Sequence, residues 1–281
     1  AQFLLGSFFS ASIMDFTHNR IGLIAGSGAV PIYFARKASQ LGIKIISVGF
    51  SEEIQNGLAP FSEKSYFIGV GQAGKILETF QQNDIKDLLI LGKVEKGIIF
   101  KLQKFDLKAL KFLKNIVTNE DKVLLLGMIG ELEKEGFKVL SQKEFLADIF
   151  PAKGNLTLRA PNKKELADIE FGLPIARKLA DLEIGQTLIV KNKTVVAVEA
   201  LEGTDRAIQR GCDLAQEKCV VIKVSRTNQD YRYDSPGIGP QTIRMMSEGS
   251  VLVLEAERVM VVEREKVLEL ANEAKIAVTS Y

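Results

Sequence analysis

The densest chemistry in the chain lies between Lys223 and Thr242, where Lys223, Arg226 and Arg232 supply cations and Asp230 and Asp234 supply carboxylates. Arginine offers a planar fork to phosphate oxygens and lysine a point charge. A helix beginning at Pro240 would add free N–H groups to the same cradle. A loop this long and polar is either functional or disordered in a compact domain, and Pro236, Gly237, Gly239 and Pro240 frame it too rigidly for disorder. The pattern suits a phosphorylated ligand. A second candidate, Gly203-Thr204-Asp205, reads most simply as a helix N-cap with an acid in its first turn, and otherwise as a hydroxyl or metal site.

Gly26-Ser27-Gly28 closes the first apolar run, where nucleotides bind in open α/β sheets. The third glycine of a dinucleotide fingerprint is missing, because position 31 is Pro, and Gly49-Phe50 stand where an acid would end the second strand. A Gly-x-Gly pair alone is a weak signal, and a tight turn explains it equally well. Composition removes other chemistries. The sole histidine is His18, so zinc hydrolases, histidine-rich binuclear phosphoesterases and Ser-His triads lack their essential groups. Acid–base work falls to carboxylates, lysine, tyrosine or water on a hard metal. Cys212 and Cys219 are too few for a disulfide framework and read as core residues in a reducing compartment. A net charge of +2 is too balanced for a general nucleic-acid binder.

These groups must be positioned by alternating strand and helix patterns. A strand from Ile21, a helix over 31–41 ending at Gly42, and a strand over 43–48 make a βαβ unit. Strands at 66–70 and 88–91 with a helix over 73–82 between them continue a parallel, doubly wound sheet, so the fold class is α/β with a Rossmann-like first domain. Lys101, Lys104, Lys108 and Lys111 form a basic stripe opposite apolar residues, most simply a solvated helix face and otherwise a rest for anionic lipid, and a helix follows over 122–135. Pro151 and Gly154 mark the boundary: a leader or arm at 1–19, a first domain at 20–150 and a mixed α/β domain at 151–281. The leader is apolar without a positive start, and no run reaches the roughly 18 residues of a membrane span, which reads as a soluble protein.

In the second domain Asn162 and Glu165 suit a capping box for a long helix. Leu188–Val190 and Val195–Val198 suit a hairpin turning at Asn192-Lys193. A helix to Ala215, a strand over 220–224, the polar loop, a helix over 240–248, strands at 251–254 and 259–262, and a helix over 264–275 complete the chain.

From Ile21 to the C-terminus the sequence resembles the UDP-2,3-diacylglucosamine pyrophosphatase family of lipid A biosynthesis, in its histidine-poor form. The segments that carry the resemblance are Gly22-Leu-Ile-Ala-Gly26, Gly69-Val-Gly71 with Gly74-Lys75, Gly92-Lys-Val94 and Asp181-Leu-Glu-Ile-Gly-Gln186. Ala197-Val-Glu-Ala200, Glu202-Gly-Thr-Asp205 and Asp230 to Thr242 continue it, and the last two are the most distinctive. The resemblance implies a cytoplasmic homodimer, peripheral to the inner membrane, that splits UDP-2,3-diacylglucosamine into UMP and 2,3-diacylglucosamine 1-phosphate (lipid X). It implies Mg²⁺, or Mn²⁺ in its place, with no nicotinamide or flavin and no nucleic acid partner. By this resemblance Asp234 is the functional aspartate, and the chemistry of a diphosphate agrees: Lys223 and Arg232 can neutralise its non-bridging oxygens while Asp234 with Asp205 holds the metal, which makes Asp234, Arg232 and Lys223 the catalytic candidates. Asp234 is either ligand or general base; the ligand role is favoured because an ordinary aspartate is a weak base at neutral pH. Gly26, Gly28, Lys93, Gly203, Thr204, Asp205, Gln229, Gly239 and Thr242 are assigned to substrate, and the 98–116 region to an acyl groove. Two other readings stay open: a dinucleotide-dependent oxidoreductase, and a non-catalytic nucleotide- or lipid-binding module.

Overall fold

A computed structural model describes residues 20–94, 105–114 and 121–281. The leader at 1–19 with His18, Lys101 and Lys104 of the basic stripe, and much of the expected acyl groove at 98–116 lie outside the described residues.

The first unit runs β1 (Arg20–Ala25), α1 (Val30–Gln40), β2 (Lys44–Gly49), α2 (Glu52–Leu58), β3 (Lys64–Phe67), α3 (Ala73–Gln81) and β4 (Asp87–Leu91). It is completed by α4 (Leu107–Lys114), α5 (Asp121–Lys134), β5 (Lys138–Val139) and α6 (Gln142–Phe145). The described strands pair in parallel in the order β3-β2-β1-β4-β5. Strands covered on both faces need continuous apolar runs, and β1, β2 and β4 have them. Leu23, Phe34, Ile45 and Leu89 fill one face, while Ile24, Ile46, Phe80 and Leu88 fill the other. The strand order reverses between β1 and β4, so a crevice forms where Gly26 and Gly92 follow their strands.

The second unit begins with β6 (Gly154–Asn155), α7 (Lys163–Asp181), β7 (Thr187–Lys191), β8 (Thr194–Val198), α8 (Thr204–Ala215) and β9 (Val220–Lys223). It continues with β10 (Gly237–Ile238), α9 (Pro240–Arg244), β11 (Val251–Leu254), β12 (Met260–Val261), α10 (Arg264–Glu273) and β13 (Ala277–Ser280). Its main sheet has the order β6-β13-β11-β9-β7-β8, parallel through β13, β11 and β9 and antiparallel at both flanks. The chain is therefore a Rossmann-like α/β domain followed by a mixed α/β domain.

Local chemistry explains the elements that hold the site. Asn162 Oδ1 accepts from the Lys164 and Glu165 amides, and the Asn162 amide donates to Glu165 Oε2, so the capping box starts α7. At Gly172 a β-carbon would stand 2.4 Å from Ile222, so glycine lets α7 lie close on β7 and β9. The β7–β8 turn takes Asn192 and Lys193 at positive φ, and Asp168 on α7 accepts from both amides. Cys212 and Cys219 are buried free thiols in the core.

Several elements differ from the pattern reading. The helix α2 is additional, capped by Ser51 and buried only through Ile54 and Leu58. The third strand lies at Lys64–Phe67, on a sheet edge where half-exposed residues blur the alternation. The 259–262 strand shortens to Met260–Val261, which pairs with β10 outside the main sheet, and α9 stops at Arg244. Among the described residues no helix is long and apolar enough to cross a membrane.

Candidate functional site

β9 reads Val-Val-Ile-Lys, and its last residue carries an ammonium into the protein interior: Lys223 is 4% exposed. Pairing with Leu254 on one side and Thr187 on the other fixes Lys223 at the C-terminal edge of the sheet. Its Nζ donates to Thr204 Oγ1 at 2.7 Å and to Thr187 Oγ1 at 3.2 Å, and lies 3.6 Å from Glu199 Oε2. Thr204 Oγ1 in turn donates to Glu199 Oε1 at 2.8 Å. Burial pushes the Lys223 ammonium below its ordinary pKa, against the opposing charges of Glu199, Asp234 and Asp205. For Glu199 burial acts upward, but the Lys223 charge and hydrogen bonds from Thr187, Thr204 and Gln186 outweigh it and hold the carboxyl low.

Gly203 caps α8 at a φ of 81°, a conformation that favours glycine, and delivers Thr204 and Asp205 in the first turn. Asp205 Oδ1 accepts from Thr242 Oγ1 at 3.0 Å, which joins the start of α9 to the start of α8. The Gly239 amide donates to the same Thr242 hydroxyl at 3.4 Å. The far end of the polar loop thus returns to Lys223.

Asp234 is held by Gln229, whose Nε2 donates to Asp234 Oδ2 at 2.8 Å and to the Asp234 carbonyl at 2.9 Å. Gln186 Nε2 donates to Gln229 Oε1 at 2.8 Å, and Arg226 Nη1 lies 3.5 Å from Asp234 Oδ2. Two buried polar atoms flank this carboxylate without a hydrogen-bond partner among the described residues, Arg226 Nε and Ser235 Oγ.

Arg232 lies elsewhere. The structure does not bring it to Lys223, because Asp230 two residues earlier takes its guanidinium through Nε and Nη2, with the Nη2–Oδ2 distance 2.8 Å. Its Nη1 donates to Glu133 on α5 at 3.0 Å. Arg232 thus joins the polar loop to α5 of the first domain through an ion pair. Tyr231 and Tyr233 flank it and enter the first domain on opposite faces of its sheet, Tyr231 against one core and Tyr233 against the other. The Tyr231 carbonyl accepts from the Gln142 amide at 2.7 Å, and its ring meets Phe150 edge-on at 6.0 Å. Behind the loop, Asp181 accepts from the amide and hydroxyl of Thr227, and Arg258 donates to the carbonyls of Arg226 and Thr227.

Gly26, Gly28 and Lys93 sit in the first domain, at the β1–β4 crevice. Ser27 and Lys93 exchange backbone hydrogen bonds of 2.8 and 2.9 Å, and a β-carbon on Gly26 would meet the Lys93 carbonyl at 2.3 Å. The Gly26 and Ser27 amides are spent on Leu91 and Lys93 carbonyls, leaving less of the backbone cradle that a dinucleotide pyrophosphate uses. Pattern reading passed over Thr187 and Arg258, and quoted Asp181, Gln186 and Glu199 without giving them a role. Glu199 was quoted only inside Ala197-Val-Glu-Ala200, and its signal is an acid where β8 runs out toward an N-cap.

Comparison with known proteins covers both units. The LpxI N-terminal domain family matches residues 20–149 and the LpxI C-terminal domain family matches residues 152–279. The UDP-2,3-diacylglucosamine pyrophosphatase LpxI of Caulobacter vibrioides is 30% identical over 267 residues, covering 90% of this chain and 94% of that protein. Among solved structures, the biotin carboxylase domain of Hydrogenobacter thermophilus 2-oxoglutarate carboxylase is 13% identical over 69% of this chain and 41% of its own, with a TM-score of 0.25. That likeness is too slight to carry any argument.

The Asp230–Arg232 fork has a pH signature. The hydrogen bond from Arg232 is the main cause that holds the Asp230 carboxyl below its ordinary 3.8. A depressed carboxyl contributes stability that is complete above the unfolded value and is lost as pH falls through the folded one. Asp230→Asn should therefore cost on the order of 1 kcal/mol at neutral pH and nothing in strong acid. Urea midpoints of the two proteins at pH 7 should differ and should converge below the carboxylate range; a constant gap would contradict the pairing.

Proposed function

This chain belongs to the LpxI family, and we propose that it hydrolyses the diphosphate of UDP-2,3-diacylglucosamine between its two domains, releasing UMP and 2,3-diacylglucosamine 1-phosphate. The observation that carries the reading is the buried Lys223 ammonium beside the first turn of α8, facing the Asp234 loop, in a chain matched by both family domains. Cations and free amides at one point suit a ligand with several negative oxygens. The Arg226 guanidinium, 3.5 Å from Asp234 Oδ2, adds a second cation beside that loop.

Hydrolysis of a diphosphate needs charge neutralised on non-bridging oxygens and a water placed in line. Lys223 supplies a fixed positive charge that needs no reorganisation during the reaction. Asp234 and Asp205 would hold Mg²⁺, or Mn²⁺ in its place; both carboxylates face Lys223, and each has only one oxygen in the hydrogen bonds described above. Among the described residues no cluster of three metal-binding acids, histidines or cysteines exists. Magnesium does not require one, because it is commonly bound by one or two carboxylates together with substrate phosphates and water. When bound, the ion supplies charge stabilisation on the phosphate oxygens. Asp234 acts as ligand rather than base, held in place by Gln229.

Water attacks the phosphorus on the sugar side. The new P–O bond forms as the bridging bond breaks, UMP departs with the bridging oxygen, and the water proton passes to solvent. Arg232 acts by holding the loop against α5 and not on the phosphate. Gly26, Gly28 and Lys93 would contribute substrate contacts from the first domain, at the end of the crevice where open α/β sheets bind nucleotides. We place the reaction in the cytoplasm against the inner membrane, in a homodimer, because two acyl chains favour the bilayer while the nucleotide stays in water.

Asp234→Asn should fold normally and lower kcat by about 100-fold or more with a smaller change in KM, since the lost interaction is strongest in the transition state. Steady-state UMP release with a circular dichroism check reads this, and a near-normal kcat would remove Asp234 from the chemistry. Chelation by EDTA should abolish UMP release, and Mg²⁺ or Mn²⁺ should restore it. Full activity in metal-free protein would leave Lys223 and Arg226 to stabilise the charge alone.

A further inference from the structure

We propose that Glu199 is the positioning residue for Lys223: its carboxylate, directly and through the Thr204 hydroxyl, keeps the buried ammonium charged and aimed at the diphosphate. The proposal rests on the reading that this site takes a diphosphate. An ammonium has three donors. At Lys223 two go to the neutral hydroxyls of Thr204 and Thr187, and Glu199 is the carboxylate 3.6 Å away. Hydroxyls satisfy hydrogen bonds but supply no charge, and a charge buried without a partner is strongly disfavoured.

The other acids facing the ammonium are Asp205 and Asp234. Neither forms an ion pair with it among the described residues. Asp205 is bonded to Thr242, Asp234 to Gln229 and Arg226, and both would be neutralised by a bound metal. Glu199 alone keeps its negative charge for Lys223 through the reaction.

The geometry also fixes the direction. Thr204 Oγ1 donates to Glu199 Oε1, so its lone pairs are left for the lysine. The Glu199 backbone cannot move toward substrate, because its amide donates to the Thr187 carbonyl and Gly185 packs so closely that a β-carbon there would lie 2.0 Å from the Glu199 carbonyl. Glu199 therefore acts through Lys223 and does not itself touch the phosphates.

The test is calorimetric binding of UDP, without divalent cation, to wild type, Glu199→Gln, Glu199→Asp, Lys223→Met and the double variant that combines Glu199→Gln with Lys223→Met. Wild-type affinity should hold between about pH 7 and 9, whereas Glu199→Gln should weaken about tenfold at the upper end and recover toward the lower, as its lysine regains a proton. Glu199→Asp should retain most of the affinity. The double variant should bind no more weakly than Lys223→Met, and its melting temperature should exceed that of either single variant, because no unpaired charge stays buried. Affinity of Glu199→Gln within twofold of wild type, or weakened equally at every pH, would overturn the proposal. If wild type binds UDP but does not release UMP from the substrate, the hydrolase reading fails and the Glu199 role stands. If wild type does not bind UDP, the titration of ¹⁵N-labelled Lys223 decides by NMR: a lower pKa in Glu199→Gln supports the pairing, and an unchanged one refutes it.

Discussion

A lysine ammonium buried at the end of β9 is the constraint around which the second domain is arranged. Moving such a charge out of water costs several kcal/mol, so the fold must surround it with matched groups. The antiparallel hairpin β7–β8 brings Thr187 beside it and ends at Glu199, and α8 starts with Thr204 at hydrogen-bond distance. Gly185 and Gly203 occur where close approach and a positive φ exclude other residues. A structure satisfied with neutral hydroxyls would not need the charge. An ammonium held at the C-terminal end of an interior strand, facing the Asp234 loop, suits an anion-binding role.

The same loop decides how the two domains meet. Arg232 bridges to Glu133, but both side chains are about a third or more exposed, and such a pair contributes roughly 0–1 kcal/mol. The Tyr231 and Tyr233 rings bury apolar surface in two separate cores of the first domain, at about 1.5–3 kcal/mol for a large apolar side chain fully buried. Docking therefore depends on the tyrosines more than on the ion pair. Asp234 follows Tyr233 directly, so the carboxylate is placed by the first domain while its hydrogen bonds come from Gln229 and Arg226 of the second. The placement of Asp234 and the domain contact are set by one stretch of chain.

Much of the fold was legible because parallel strands covered on both faces read as plain apolar runs. The α7 capping box and the Asn192-Lys193 turn carried their own chemistry in single residues. The α2 helix and the β3 edge strand were not legible, since short or half-exposed elements leave weak periodicity. At the site, Lys223 and Asp234 stood out by residue type and Thr204, Asp205, Gln229 and Thr242 through the family resemblance; hydrogen bonds link Lys223 to Thr204, Asp205 to Thr242 and Gln229 to Asp234. Glu199 was missed because a strand-end acid looks like solvent-facing polarity until its lysine partner is brought to it from 24 positions away by the β7–β9 pairing. The partner of Arg232 could not be read either: its motif is local, but Glu133 is distant in the chain.

The central claim is hydrolysis of a bridging diphosphate by water at the Lys223–Asp234 site, with UMP as leaving group. The most direct measurement is turnover of UDP-2,3-diacylglucosamine in ¹⁸O-water with Mg²⁺, followed by mass spectrometry of both products. One ¹⁸O in 2,3-diacylglucosamine 1-phosphate and none in UMP is the expected result. Label in UMP would reverse the substrate in the site, and the absence of either product would contradict the hydrolase reading itself.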